Sequence, residues 1–372
     1  MADRVPDSSE CPVFLPVKDL KTMIRLVKAL YQLQQMVPYR SFVTPQLPES
    51  ARLDPGHESV MMGYDFHLTT EGPRLIEVNT NAGGVMLAWQ AHQLSRSLSQ
   101  EAIGRPASNL MATFNQEMDR FSHGRKKRPE RVVIIDSEPE KQFLYPEMQQ
   151  FALLFRARGV EAEVVDPGQL EANAQGVFLA GKPVDLIYNR HCDFYLETPP
   201  LAGIRAAYLA AKVCLTPNPR AYGLLADKRR MLLWSSQEAL KELGVGEVSQ
   251  QTLLAGVPPC HLLKWFDADH FWSDRRSWVV KPVDSFGSRG VILGKGLSRN
   301  RFNVLCQETT LVQKLVPPST TPCPWDGKPM KTDLRLFVYG AKVLGVTARI
   351  YQGQVTNFKE PGSGYAPVRI VP

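Results

Sequence analysis

Two carboxylates and an amide, Asp65, Glu77 and Asn79, lie within one short stretch early in the chain. The stretch, Gly63–Gly84, has the pattern of a β-hairpin with its turn at Glu71-Gly72. Because successive side chains of a strand point to opposite faces, Glu77 and Asn79 share one face and could meet Asp65 there. Hard oxygen ligands suit Mg²⁺, which binds one or two carboxylates together with water and substrate phosphates. The stretch therefore predicts a magnesium site, with a solvated hairpin carrying incidental charges as the alternative.

A second stretch has residues that could bind phosphates. Trp278–Pro282 has the composition of a buried strand and delivers Lys281 near its end. A Gly/Ser-rich loop at residues 284–290 follows, and Val291–Leu293 then forms another strand. Backbone N–H groups of such a loop can close over phosphates, and the lysine would add a point charge. Alone this is a weak signal, because Gly/Ser hairpins without ligands are common.

Charged residues alternate with apolar ones near the end of the chain. Lys331–Tyr351 has the pattern of two long strands, from which Asp333, Arg335 and Arg349 project. The alternation places these charges on the face opposite the core. From the pattern alone, we expect that face to be exposed to solvent.

Helices and a basic linker surround these stretches. Pro16–Met36 has one apolar face at helical spacing, and Val85–Leu98 and Asn109–Phe121 also have helical patterns. The basic, proline-containing stretch Gly124–Glu130 follows, and we interpret it as a solvated linker at a domain boundary. It has no interleaved aromatic residues of the kind that bind single-stranded nucleic acid.

The pattern beyond the linker changes to alternating strands and a helix, which predicts a small α/β domain with a parallel sheet. The predicted elements are strands Arg131–Asp136, Glu161–Asp166 and Leu186–Tyr188 and helix Tyr145–Arg158. Arg190 follows the third strand, at the edge where open α/β sheets bind ligands. It is a candidate anchor for an anionic substrate, and a structural surface arginine is the favoured alternative.

The rest of the chain supplies connecting elements around the phosphate-binding stretch. Met231–Leu243 and Ser298–Leu305 are predicted helices. Leu311–Leu315 is a predicted strand whose backbone could hydrogen-bond an adenine, and the proline-rich Pro317–Pro324 follows it.

Composition sets broad limits on this protein. Its 372 residues are 44% hydrophobic and 22% charged, enough for two or three domains, and a net charge of +7 favours acidic partners such as nucleotides. The six cysteines have no spacing typical of metal or redox sites, so we expect free thiols. The first ten residues lack an apolar secretory core, and the chain has no long apolar segment. We therefore expect a cytoplasmic protein with no membrane or nucleic-acid partner.

The order of these motifs resembles that of the ATP-grasp superfamily. WVVKP, DSFGSRG, LVQKLV, TDLRLFV and TARIYQGQVTNF occur in the family's order, but the closing D…E-x-N element stands near the N-terminus. The chain thus resembles a circularly permuted ATP-grasp protein, similar to glutathione synthetase-like carboxylate–amine or carboxylate–thiol ligases. The resemblance implies α/β and α+β lobes with a small Rossmann-like preceding domain. The implied division is 1–123 and 317–372 for the large lobe, 124–225 for the preceding domain and 226–316 for the small lobe.

The resemblance also implies roles for individual residues. Mg²⁺ or Mn²⁺ would bind the hairpin trio, and Arg335, Arg349 and Asn357 would act on the transferred phosphoryl group and the acylphosphate. The implied ATP-binding residues are Lys228, Lys281, Ser285, Gly287, Ser288, Gly290, Gln313, Lys314 and Asp333. Gln313 departs from the family, in which many members carry an acidic residue there.

The implied reaction is ATP-dependent. A substrate carboxylate forms an acylphosphate, an amine or thiol displaces phosphate, and ADP and phosphate are released. A phosphotransferase on the same fold is the first alternative, and a non-catalytic nucleotide-binding or nucleic-acid-binding protein is the second. The sequence does not identify either small-molecule substrate.

Overall fold

The computed structural model describes residues 11–94, 100–283, 290–322, 329–353 and 362–372, with only the backbone described at 92–94 and 100–105. The strands in these residues are β1 Val13–Pro16, β2 Met62–Thr69, β3 Gly72–Asn79, β4 Arg131–Ile135, β5 Glu161–Val165, β6 Glu171–Asn173, β7 Gly176–Leu179, β8 Lys182–Pro183, β9 Leu186–Asn189, β10 Cys214–Thr216, β11 Cys260–Leu262, β12 Trp278–Pro282, β13 Ile292–Leu293, β14 Thr310–Lys314, β15 Ser319–Pro322, β16 Pro329–Tyr339, β17 Lys342–Tyr351, β18 Gly364–Ala366 and β19 Val368–Val371.

The α-helices include the predicted ones near Pro16–Met36, Asn109–Phe121, Tyr145–Arg158 and Ser298–Leu305, together with several short helices that were not predicted. In chain order, the α-helices are α1 Val17–Gln35, α2 Val37–Val43, α3 Glu49–Arg52, α4 Val85–Leu94, α5 Gln100–Phe121, α6 Tyr145–Arg156, α7 Ala202–Leu209, α8 Pro219–Ala221, α9 Arg230–Trp234, α10 Gln237–Glu242, α11 Glu247–Gly256, α12 Ala268–Asp274 and α13 Arg299–Leu305. A short π-helix at Tyr222–Ala226 separates α8 from α9.

The largest sheet combines strands from both ends of the chain. Its order is β18-β17-β16-β2-β3, with β15 also paired to β16, and every pairing is antiparallel. The early hairpin β2–β3 thus lies beside the late ribbon β16–β17. Asp65 is directly opposite Arg335 on one side and Glu77 on the other. Side chains separated by most of the sequence therefore meet at the centre of one sheet.

The two faces of this sheet differ in polarity. Tyr64, Phe66 and Leu336 are at most 1% exposed and pack into a core that includes residues of α1 and α9. The opposite face carries Asp65 and Arg335 at alternate positions, as the period of a strand requires.

Solvent exposure of the charged face was predicted wrongly. Asp333, Arg335 and Arg349 are 3%, 7% and 9% exposed. At Arg335 the face is covered by the Gly83-Gly84 turn and Tyr365, which meet at the Gly83 carbonyl, whereas Asp333 and Arg349 line a cleft described below. Strand alternation identifies the face that carries the charges, but it does not show what covers that face.

A four-stranded parallel sheet forms the middle of the chain, as predicted. Its order is β10-β9-β4-β5. Apolar residues of α5 and α6, among them Phe114 and Phe151, pack against one face, and Ile204 and Tyr208 of α7 pack against the other. Burial on both faces explains why the sequence of β4, RVVII, is a continuous apolar run after its arginine.

The third sheet has the order β11-β14-β12-β13 and is antiparallel. It contains the predicted strand with Lys281 as β12 and, as β14, the predicted strand whose backbone could hydrogen-bond an adenine. One prediction here needs correction, because Met231–Leu243 is two helices, α9 and α10, rather than one. Ser236 interrupts it, since its side chain accepts a hydrogen bond from the Ala239 N–H and caps α10.

The proline-rich excursion and the chain ends also form strands. Part of Pro317–Pro324 is β15, which pairs with β16. β1 and β19 pair in parallel, with Pro16 opposite Val371, so the end of β19 lies beside the start of α1.

Two expectations from composition can be compared with the described residues. Cys11, Cys192, Cys214, Cys260 and Cys306 are free thiols, as predicted, and Cys323 lies outside the described residues. In the described ranges, the helices are too short or too polar to cross a membrane.

Candidate functional site

A buried ion-pair network occupies the centre of the large sheet. Arg335 donates to both carboxylate oxygens of Asp65, from Nε at 2.6 Å and from Nη2 at 2.7 Å. Arg349 donates from Nη2 to the same carboxylate at 2.9 Å and from Nε to Asp333 at 2.6 Å. Burial alone would raise the pKa of Asp65, but the two guanidinium charges outweigh it and hold the pKa well below its usual range.

The other two hairpin residues complete a cluster around Asp65. The Asn79 side-chain amide lies 3.2 Å from a carboxylate oxygen of Asp65 and 3.2 Å from one of Glu77. The three residues predicted to converge therefore do converge. A bulge at Ile76 of β3 accompanies this arrangement, since Asp65 pairs with Glu77 and the next residue, Phe66, pairs with Leu75.

The cluster contains the ligand types of a divalent-cation site, and both Asp65 oxygens also accept hydrogen bonds from guanidinium groups. It offers carboxylate oxygens and an amide that can present its oxygen by a flip of the side chain. Among the described residues, no group of three or more His, Cys, Asp or Glu side chains could hold a metal ion. Two carboxylates and an amide would need further oxygen ligands, and phosphates supply them in sites of the magnesium type.

Lys281 faces the same region from the third sheet. The residue is 4% exposed, and its ammonium donates to the Ile76 carbonyl at 3.0 Å and to the Gln313 side-chain oxygen at 2.6 Å. Burial is the main cause of its lowered pKa, the charge of Lys228 lowers it further, and the charge of Glu77 opposes the shift. The ammonium is buried, and both of its hydrogen-bond acceptors are neutral oxygens. An anionic ligand would therefore stabilise its charge.

A cleft of about 260 Å³ separates the two sheets. One wall is polar and includes Asp65, Glu77, Asp333 and Arg349. The other wall is mostly apolar and is lined by Val279, Val291, Leu293, Leu315, Val316 and Pro317. Pockets that combine an apolar wall with a few convergent polar groups are typical of cofactor and small-molecule sites.

His67 also lines the cleft, and sequence reasoning missed it. It lies two positions after Asp65 on β2, so it shares the face of that carboxylate. Its Nδ1 is 2.7 Å from the Val316 carbonyl, so it joins the large sheet to residues 315–318 after β14, which are called the linker from here on. Burial lowers its pKa. The signal was available in the sequence as the period-two spacing from Asp65.

Of the other predicted ATP-binding residues, some lie at the cleft and some do not. Gln313 lines the cleft, but Lys314 lies over the Trp278 ring at 4.9 Å, with its ammonium 3.5 Å from Asp274. Gly290 has a φ of 72° next to Val291 of the cleft wall. The predictions for Ser285, Gly287, Ser288 and Asn357 lie outside the described residues.

The Gly83-Gly84 turn connects the network to the rest of the molecule. Arg335 Nη1 and the Tyr365 hydroxyl each donate to the Gly83 carbonyl at 3.1 Å. Gly84 has a φ of 96°, and its N–H donates to the Glu147 carboxylate, which also accepts from the Met86 N–H. The buried Glu147 carboxylate thus stabilises the start of α4.

Arg190 is buried rather than on the surface. It is 6% exposed, and its Nη1 donates to the Asn81 carbonyl at 3.0 Å. The Asn81 side chain donates back to the Arg190 carbonyl at 3.0 Å. The structure therefore places Arg190 at the junction between the parallel sheet and the loop that follows β3.

A second polar cavity, of about 270 Å³, lies behind the large sheet beside Met62 and Tyr64. Its guanidinium groups already have partners, since Arg120 donates to Glu58 at 3.0 Å and Arg220 donates to the Arg52 carbonyl at 3.0 Å. The cleft between the sheets is the better candidate for the functional site, because carboxylates, guanidinium groups and a buried ammonium face one space there.

Comparisons with known proteins agree with this architecture. No family model matches the sequence, and no curated protein matches it. A glutathione synthetase-like effector from Globodera pallida aligns with a TM-score of 0.61 at 12% identity, over 98% of this chain and 90% of that one. A putative γ-glutamylcysteine synthetase from Methylobacillus flagellatus aligns with a TM-score of 0.51 at 12% identity, over 91% of this chain and 85% of that one. At these identities the comparisons show a likeness of fold, and that likeness agrees with the resemblance to glutathione synthetase-like proteins that the motifs indicated.

Proposed function

We propose that the protein is an ATP- and Mg²⁺-dependent ligase that joins a carboxylate to an amine or thiol. One observation carries the proposal: elements far apart in the sequence bring Lys281, Glu77 and Arg349 to the walls of a single cleft. A buried ammonium, carboxylates and guanidinium groups around one space suit a triphosphate with its metal ion. The fold shared with glutathione synthetase-like proteins supports the same reaction class.

Each part of the cleft would serve one part of the nucleotide. The apolar wall around Val279 and Leu293 would receive the adenine, and Lys281 would neutralise phosphate charge together with Lys228. Asp65, Glu77 and Asn79 would hold Mg²⁺, which neutralises phosphate charge when it is bound. The guanidinium groups of Arg335 and Arg349 would stabilise charge that develops during transfer.

The proposed reaction has two steps. An oxygen of the donor carboxylate attacks the γ-phosphorus as the bond to the β–γ bridging oxygen breaks, which gives an acylphosphate and ADP. The amine or thiol then attacks the acyl carbon, loses a proton, and releases inorganic phosphate. Positioning and charge stabilisation are the protein's main contributions to such transfers.

We also propose that the chain is a circular permutation of the ATP-grasp order. The pairing of β2 with β16 and the parallel pairing of β19 with β1 support this, since β19 runs beside the start of α1. In this interpretation residues 1–123 and 317–372 form the large lobe, 124–225 a Rossmann-like domain and 226–316 the small lobe.

A product assay tests the proposed function. The protein is incubated with ATP, Mg²⁺ and paired amino acids, dipeptides or polyamines, and ADP and phosphate are measured separately. Equal release of ADP and phosphate, dependent on both members of a pair, is the expected result. ADP with a phospho-ester and no free phosphate would indicate a kinase instead, and AMP with pyrophosphate would exclude γ-phosphoryl transfer.

A further inference from the structure

His67 occupies a distinctive position in the cleft. Its backbone belongs to β2 of the large sheet, while its Nδ1 lies 2.7 Å from the carbonyl of Val316 in the linker. A carbonyl oxygen only accepts hydrogen bonds, so Nδ1 carries the proton that is shared with Val316. This leaves Nε2 as the ring nitrogen for a ligand of the cleft.

His67 lies between two groups that line the cleft. Its Nδ1 contacts the Val316 carbonyl in the segment after β14, and the carboxylate of Asp65 lies two positions earlier on the same strand. A nucleotide with its base at the linker and its phosphates at Asp65 would have its ribose between them. His67 is the residue at that intermediate position on the strand.

Asp333 stands next to His67 on the neighbouring strand. Leu334 is paired with Phe66, so the preceding residue of β16 adjoins His67, and both side chains line the cleft. One Asp333 oxygen already accepts from Arg349.

We propose that His67 is a specificity-determining residue that hydrogen-bonds a ribose hydroxyl of the nucleotide through Nε2, while Nδ1 positions the linker at Val316. The inference rests on the proposed function and adds to it a requirement for a ribonucleotide over its deoxy analogues. The hydroxyl can donate to Nε2 or accept from it, so the contact does not depend on the protonation state of the ring.

The test combines a change in the ligand with a change in the residue. Calorimetry measures the affinities of wild type and His67→Asn for ATP, 2′-deoxy-ATP and 3′-deoxy-ATP. The asparagine amide can replace Nδ1 in donating to Val316, but it has no counterpart of Nε2. His67→Phe keeps the ring and removes both contacts.

The expected result is specific for one hydroxyl. Wild type should bind one deoxy analogue about 2- to 12-fold more weakly than ATP for a single hydrogen bond lost. His67→Asn should lose that preference, and its affinity for the deoxy analogue should equal the affinity of the wild type for the same analogue. His67→Phe should bind all three nucleotides more weakly than the wild type does.

Other outcomes would overturn the inference in distinguishable ways. Equal wild-type affinity for all three nucleotides would show that no hydroxyl is recognised, and this needs no variant. An unchanged preference in His67→Asn would show that His67 acts on the linker only. If wild type does not bind ATP at all, the proposed function itself fails.

Discussion

Asp65 and Arg335 form a two-point ion pair between residues that are 270 positions apart in the sequence. They stand opposite each other on adjacent strands, one from the early hairpin and one from the late ribbon. Arg349 adds a further hydrogen bond to the same carboxylate. The charges that would act on a nucleotide are therefore also the charges that hold the two segments together.

Asp65→Asn should destabilise the fold strongly. Removing one partner of a buried ion pair leaves uncompensated charge and costs about 3–5 kcal/mol. Glu77→Gln is the matched control, because Glu77 lies in the same cluster and its side chain is only partly buried. Urea unfolding at pH 7 should show a loss of several kcal/mol for Asp65→Asn and about 1 kcal/mol or less for Glu77→Gln.

The effect of Asp65 should also depend on pH. Because its pKa is lowered in the folded state, its ionisation stabilises the fold above about pH 4, and this contribution is lost as pH falls further. The difference between wild type and Asp65→Asn should therefore shrink when unfolding is measured near pH 3. If the difference in unfolding free energy between the two proteins stayed constant from pH 7 to pH 3, it would contradict the ion-pair network around Asp65.

Lys281→Met should weaken ATP binding more than tenfold. The substitution keeps the length of the side chain and removes the ammonium, and charge-assisted contacts are worth about 1.5–3 kcal/mol. Lys241→Met, on the exposed surface of α10, is the control for a general loss of positive charge. Calorimetry should show weaker binding for Lys281→Met only. Equal ATP affinity in both variants would remove Lys281 from the nucleotide site.

Local patterns predicted much of the fold and grouped the hairpin residues correctly. The hairpin β2–β3, the strand with Lys281 and the parallel strands beyond the basic stretch Gly124–Glu130 all follow from apolar spacing and turn residues. The convergence of Asp65, Glu77 and Asn79 follows from the period of a strand. These features depend on residues that are close together in sequence.

Contacts between distant segments could not be predicted in this way. The burial of Arg335 depends on Tyr365 and the Gly83-Gly84 turn, and the role of Glu147 depends on a helix of the parallel sheet meeting α4. The cleft position of His67 requires the linker to approach β2. In a single sequence, periodicity carries no information on which surface covers another.

His57 should make a pH-dependent contribution to stability. Its Nδ1 is 2.9 Å from the Glu117 carboxylate, and its Nε2 is 4.0 Å from the thiol of Cys214. Burial alone would lower the pKa of His57, but Cys214 and Glu117 raise it well above its usual range. A raised pKa stabilises the fold fully below about pH 6.5, and the contribution is lost as pH rises through the folded-state pKa.

The comparison of wild type with His57→Gln measures this contribution. The loss of unfolding free energy in the variant should be larger at pH 6 than at pH 9.5, in urea titrations at constant ionic strength. In the wild type, the charge of His57 lowers the pKa of Glu117 despite the burial of this carboxylate. A variant that loses the same free energy at both pH values would show that the imidazole is neutral throughout.

Gly84→Ala should disrupt the turn that covers the ion-pair network. Gly84 has a φ of 96°, and a Cβ there would lie 1.7 Å from the Tyr365 hydroxyl oxygen. Gly72→Ala is the matched control, since Gly72 has a φ of 105° and its Cβ would meet no atom of the described residues within 4 Å. The control should lose only the backbone term of about 1–2 kcal/mol, and overpacking should add about 1–3 kcal/mol at Gly84. Thermal and urea unfolding of both variants check this, and equal losses would show that Tyr365 does not pack tightly on the turn.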